Sequence, residues 1–150
     1  MSNVFGTASK KHLEGVHPDL VRLHEAVLAV FDHSITDGSR TIEEQRKNVA
    51  RGVSKTMDSK HLPQSDGYAH ATDAVPFPAP NWVNVERALA AVKKMDPSFD
   101  LLRFYYFQGV MKGVASQLGV SIRQGINWDG DKDFADSSFL DLPHTELVKP

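Results

Sequence analysis

The chain predicts an α+β fold, with helices packed on a small, mostly antiparallel sheet. Two observations carry this. Apolar residues recur at helical spacing in three long segments, and the stretches between them hold short β-prone runs bounded by glycine, proline and aspartate. The length of 150 residues fits one domain, residues 1–150, with one hydrophobic core. A chain of this size buries roughly 70% of its unfolded surface, so a metal is not needed merely to hold it together.

Residues 18–32, PDLVRLHEAVLAVFD, place Leu20, Leu23, Val27, Leu28 and Phe31 on one helical face, with Pro18 in the first turn. Ser34–Thr36 reads as a short strand leading into an Asp37-Gly38 turn, where glycine would tolerate positive φ. Thr41 followed by Glu44 forms a capping box, which predicts a helix from Ile42 to Ala50 or Arg51. From Gly52 to Pro80 the chain is mostly loop, with one strand around Ala71 to Val75. A loop of that length inside a domain suggests function. NWVNVERALAAVKKM then sets Trp82, Val85, Leu89 and Val92 on one face behind an Asn81 cap. FDLLRFYYFQGVMKGVASQLGV comes next as a long apolar helix ending at Gly119, with Leu101, Tyr105, Val110 and Val114 expected in the core and the RFYYF run read as packing. SIRQGINW is a strand, DGDKDFADSSF a polar loop, and LDLPHTELV a last strand broken by Pro143.

A formal charge of −2 offers no basic surface for nucleic acid. No apolar run approaches the ~20 residues of a membrane span, and the N-terminus lacks the apolar stretch of a secretory signal, which predicts a protein kept in the cytosol. With no cysteine, a metal would have to be held by imidazole and carboxylate. Of seven histidines, His12, His17, His24, His33 and His70 read as structural or solvated. His61 and His144 differ, because Asp73 follows the first and Asp141 precedes the second by three residues. Residues three apart in an extended segment point to opposite faces, and Pro143 supplies the bend that would bring Asp141 beside His144. A metal site and the plainer pairing of a turn aspartate with a surface histidine both fit that spacing.

The motifs in order, ITDGSRTIEEQRKNVARGVSKT, SKH, HATDAVP, NWDGD and DLPHTEL, resemble the zinc-dependent peptidase family of phage endolysins that cleave the L-alanyl-D-glutamate bond of peptidoglycan, together with D-alanyl-D-alanine carboxypeptidases and dipeptidases. The similarity runs from about residue 34 to the end. It implies one Zn²⁺ in a central cleft, held by His61, Asp73 and His144, with Asp141 as general base and Arg40 steadying the developing oxyanion. Gln45 and Ser54 take supporting positions near the substrate. The family usually spaces its first histidine and its aspartate by about seven residues, whereas His61 and Asp73 are twelve apart, so PQSDGYAH carries an insertion of roughly five. His70, three residues before Asp73, could take the place of His61 or hydrogen-bond a ligand carboxylate. Glu146 could orient His144 or bind substrate. Trp128 is read as a structural aromatic flanking the cleft, with Asp129 and Asp131 as solvated turn residues.

The resemblance further implies a monomeric endolysin without a separate wall-binding domain, acting on peptidoglycan stem peptides. It would accumulate in the host cytoplasm, reach the periplasm through a holin-like pore and lyse the host. A D-alanyl-D-alanine carboxypeptidase or dipeptidase, and a non-enzymatic zinc-binding module, are the other readings.

Overall fold

A computed structural model describes residues 4–131, 134, 136 and 138–148. Residues 132, 133, 135 and 137 of the predicted polar loop lie outside the described residues. The chain divides into two compact units, Met1–Asn81 and Trp82–Pro150.

The first unit holds helices α1 (Thr7–Leu13), α2 (Pro18–Leu28) and α3 (Ile42–Ala50) and strands β1 (His33–Asp37) and β2 (Asp73–Pro76). The strands pair antiparallel, His33 opposite Pro76, with a bulge between Ile35 and Asp37. A two-stranded ribbon is marginal in water by itself. Here α1 packs along β1, and the Ile35 amide donates to the Ser9 hydroxyl on that helix at 3.1 Å. Phe5, Leu13, Leu28 and Ile35 form the core, with Val21 packed against it. α1 has no apolar stripe and no side-chain cap, so periodicity does not predict it; burial of Ser9 and Leu13 holds it. α2 ends at Leu28, short of the expected Asp32, because the chain turns through Val27–Phe31 to enter β1; Leu23 and Phe31 are exposed rather than in the core. α3 begins on the predicted capping box, with Thr41 and Glu44 bonded reciprocally.

The second unit holds α4 (Trp82–Met95), α5 (Asp100–Gln117), β3 (Ile122–Gln124) and β4 (Thr145–Leu147). β3 and β4 pair antiparallel with Arg123 opposite Glu146. Among the described residues the fold is therefore mixed helix and antiparallel strand, with two ribbons in place of one sheet. The helices stand where expected, but their faces do not: Trp82, Val85 and Leu89 on α4, and Leu101, Val110 and Val114 on α5, are exposed. Of the RFYYF run, Phe104, Tyr106 and Phe107 are exposed too. Periodicity tells which residues share a face and not what lies opposite it. On α5 the apolar residues go round the whole helix, and the buried positions are Gln108 and Ala115.

Candidate metal and catalytic site

Backbone geometry in the first unit creates the pairing that matters. The bulge in β1 sets Asp37 opposite Asp73 across the ladder. Like charges facing each other are unfavourable. Arg40 resolves the conflict: its guanidinium reaches Asp37 Oδ2 at 2.6 Å and lies 3.6 Å from Asp73 Oδ2. The second Asp37 oxygen accepts from the Gly38 amide at 2.8 Å, so both of its oxygens are engaged. Asp37 thus serves as the anchor of Arg40, and Asp73 keeps a carboxylate oxygen for another partner.

That oxygen faces His61. Asp73 Oδ1 lies 3.5 Å from His61 Nε2, and the imidazole is nearly buried while the carboxylate is 58% exposed. The other ring nitrogen, Nδ1, donates to the Gly38 carbonyl at 2.7 Å. A carbonyl can only accept, so Nδ1 carries a proton, and in the neutral ring Nε2, on the carboxylate side, is the nitrogen with the lone pair. Two acceptors are left face to face, an arrangement that a cation or a proton between them relieves. Zinc bonds to nitrogen and oxygen of about 2.0–2.2 Å at a tetrahedral angle put donor atoms about 3.3–3.5 Å apart, which the observed separation fits. The histidine–carbonyl bond is the usual support of a metal-binding imidazole.

Gly38 is required by space and not, as the turn reading has it, by positive φ: a Cβ there would collide with the carbonyl oxygen of His12. The Arg40 amide also donates to the His61 carbonyl at 2.8 Å, so the DGSR loop and the SKH loop are tied through both backbone and side chains. Behind Arg40 sits Gln45, fully buried in α3. Its Oε1 accepts from Arg40 Nη1 at 3.0 Å, while its Nε2 donates to Ser54 Oγ at 2.8 Å and to the Thr56 carbonyl at 2.6 Å. Gln45 and Ser54 therefore support Arg40 from behind.

His70 lies elsewhere in the inserted loop. Its Nε2 is 2.7 Å from Asp66 Oδ2, and it groups with Asp66 and His17, while His61 groups with Asp73 and Asp37.

In the second unit, Asp141 to His144 forms a tight turn closed by the His144 amide on the Asp141 carbonyl at 3.0 Å. The turn brings Asp141 Oδ2 to 3.9 Å from His144 Nδ1, the same-side placement anticipated from Pro143. His144 Nε2 donates to Glu146 Oε2 at 2.9 Å, which leaves the Nδ1 lone pair on the Asp141 side. Glu146 is in turn bonded by Arg123 Nε at 2.7 Å, and its carboxyl is held below the usual range by the His144 bond first and the Arg123 bond second. The Trp128 ring lies 5.0 Å from the His144 ring, with the Arg123 guanidinium 5.5 Å over the indole.

Gln108, fully buried on α5, is a positioning residue that sequence reading passed over. Its Nε2 donates to the Leu142 carbonyl at 2.6 Å, and its Oε1 accepts from Thr145 Oγ1 and Gln124 Nε2. Gly125 completes the clamp: its amide and carbonyl bond His144 and Asp141, and a Cβ there would strike the Asp141 carbonyl. A glutamine inside an apolar helix was the signal available in the sequence, since a polar group there must find partners.

The phage L-alanyl-D-glutamate peptidase family profile matches residues 1–148. The L-alanyl-D-glutamate peptidase of Escherichia phage T5 is 30% identical over 156 aligned residues, covering 99% of this chain and 100% of that one. The crystal structure of Serratia marcescens L-Ala D-Glu endopeptidase ChiX is 27% identical, covering 98% of this chain and 91% of that one with a TM-score of 0.45.

Proposed function

The chain belongs to the phage L-alanyl-D-glutamate peptidase family, and from that premise we propose that it works as a zinc endolysin, with one catalytic Zn²⁺ held by His61, Asp73 and His144. Its reaction is hydrolysis of the L-alanyl-D-glutamate bond in peptidoglycan stem peptides. The observation that carries the zinc assignment is the His61–Asp73 pair, an imidazole nitrogen and a carboxylate oxygen 3.5 Å apart, with the neutral tautomer of the histidine set by its bond to Gly38. His144 enters as third ligand from the DLPH motif, and the Glu146 bond that frees its Nδ1 supports that role.

When bound, zinc supplies Lewis-acid polarisation of the scissile carbonyl and acidifies a water. Asp141, on the Nδ1 side of His144, takes the proton of the attacking water and returns it to the departing amine of D-glutamate. Arg40 offers a fixed positive charge to the carbonyl oxygen as it gains charge, and Asp37 with Gln45 keeps the guanidinium from swinging away. Glu146, tied to Arg123, orients His144. The protein acts as a monomer that stays in the host cytoplasm until a holin-like pore admits it to the wall.

Asp141→Asn tests the mechanism, because it keeps the size of the side chain and removes its basicity. Zinc content should stay at the wild-type level while hydrolysis of purified peptidoglycan falls by about 10²–10⁴-fold. Full activity in this variant would overturn the assignment of Asp141 as base.

A further inference from the structure

The inserted loop carries a second set of metal-ligand atoms, separate from the pair just described. His17 stands in the turn before α2, and Asp66 and His70 lie in the excursion between His61 and Asp73. Asp66 Oδ2 is 2.7 Å from His70 Nε2 and 3.9 Å from His17 Nε2, and one ligand atom from each of the three lies within 4.8 Å of the others. Ligands on a tetrahedral zinc-class ion stand about 3.3 Å apart. The two separations from Asp66 straddle that value, each within about 0.6 Å of it, while the two histidines stand within 4.8 Å of each other and would draw together on a shared ion.

Three features show that the cluster sits on a built framework. The loop is hydrogen-bonded to the turn that carries His17, with the His17 amide on the Ala69 carbonyl and the Ala69 amide on the Gly15 carbonyl, both at 2.9 Å. Ala69 is completely buried between them. Asp66 is oriented by its other oxygen, which accepts from the Tyr68 amide at 3.1 Å.

We propose that His17, Asp66 and His70 bind a second divalent transition-metal ion of the zinc class, which fastens the inserted loop to the turn before α2. Two imidazoles and one carboxylate suit Zn²⁺, Co²⁺ or Ni²⁺ and not the oxygen-seeking Ca²⁺ or Mg²⁺. The site also makes a specific demand on His17. Its Nδ1 now accepts from the Asp19 amide at 3.1 Å, which places the neutral proton on Nε2. Metal binding at Nε2 shifts that proton to Nδ1, so the bond from the Asp19 amide is given up and the Asp19 carboxylate, 3.9 Å away, must turn in to accept in its place. Asp19 is then the outer carboxylate of the site. Hydrolysis does not pass through this ion; its work is to hold the loop.

The test is metal analysis of the whole chain equilibrated with buffered free Zn²⁺. Wild type should hold two ions. Asp66→Asn and His17→Gln should each hold one and hydrolyse peptidoglycan at the wild-type rate. His61→Ala should also hold one, with hydrolysis lost. In the His61→Ala background Zn²⁺ should still raise the melting temperature, and adding Asp66→Asn should remove that rise. One ion in wild type, or two ions in both Asp66→Asn and His17→Gln, overturns the proposal. If the loop variants each lose an ion while His61→Ala keeps two, the loop site stands and the catalytic ligand set proposed above fails.

Discussion

At the scale of single residues, the candidate site is held by polar side chains that face inward. Gln45 shows this most clearly, since one amide bonds Arg40 on one side and Ser54 and Thr56 on the other with no exposure to solvent. Leucine has nearly the same volume but can satisfy none of these groups. Leaving buried partners unbonded costs about 1–3 kcal/mol, so Gln45→Leu should lower the unfolding free energy by that amount in urea titration. It should also loosen Arg40, and if Arg40 has the oxyanion role proposed for it, kcat should fall more than KM rises. Gln45→Glu keeps an acceptor for Arg40 and should recover part of kcat. If Gln45→Leu is less stable but keeps full kcat, Gln45 is structural and does not position Arg40.

Between elements, a histidine pair joins α2, β1 and the residue ahead of β2. His24 Nδ1 lies 3.0 Å from Nε2 of the buried His33, and His24 Nε2 lies 2.7 Å from Thr72 Oγ1. His33 Nδ1 donates to the Phe31 carbonyl at 3.0 Å, and its ring meets Phe5 edge-on. Burial first, and the proximity of His33 second, lower the pKa of His24. A histidine whose folded pKa lies below its unfolded value binds more protons when unfolded, so its contribution is complete above about pH 6.5 and is lost as pH falls through the folded pKa. Wild type should therefore lose more melting temperature between pH 7.5 and 5.5 than His24→Gln does; equal losses would remove His24 as the source. The same elements show what a sequence can tell. The Thr41–Glu44 box is local chemistry, and α3 starts where that chemistry says. The Asp141–Pro143–His144 bend was readable for the same reason. The short α1, the partners of Gln45 and Gln108, and the meeting of His17 with the inserted loop depend on segments far apart in the chain, and local pattern carries no trace of them. The exposed faces of α4 and α5 are the converse case, a clear pattern whose burial does not follow from it.

For the molecule as a whole, the question is which bond the assembled site cuts. An endopeptidase of the L-alanyl-D-glutamate bond and a carboxypeptidase that trims terminal D-alanine can share zinc, base and oxyanion partner, so those groups alone do not separate them. Family membership does, since both the profile over residues 1–148 and the full-length similarity to the phage T5 peptidase point to the internal bond. Digestion of purified peptidoglycan gives different new ends in the two cases. The internal cut frees the amino group of D-glutamate and leaves L-alanine on the sugar, whereas trimming releases free D-alanine. The expected result is new glutamate amino termini by mass spectrometry, with no free D-alanine above the undigested control. Removing the metal with a chelator should stop the appearance of those termini, and Zn²⁺ should restore it, because His61 and Asp73 without a cation present facing lone pairs and nothing to polarise the carbonyl. Release of D-alanine would assign the carboxypeptidase reaction instead, and undiminished digestion after chelation would remove zinc from the chemistry.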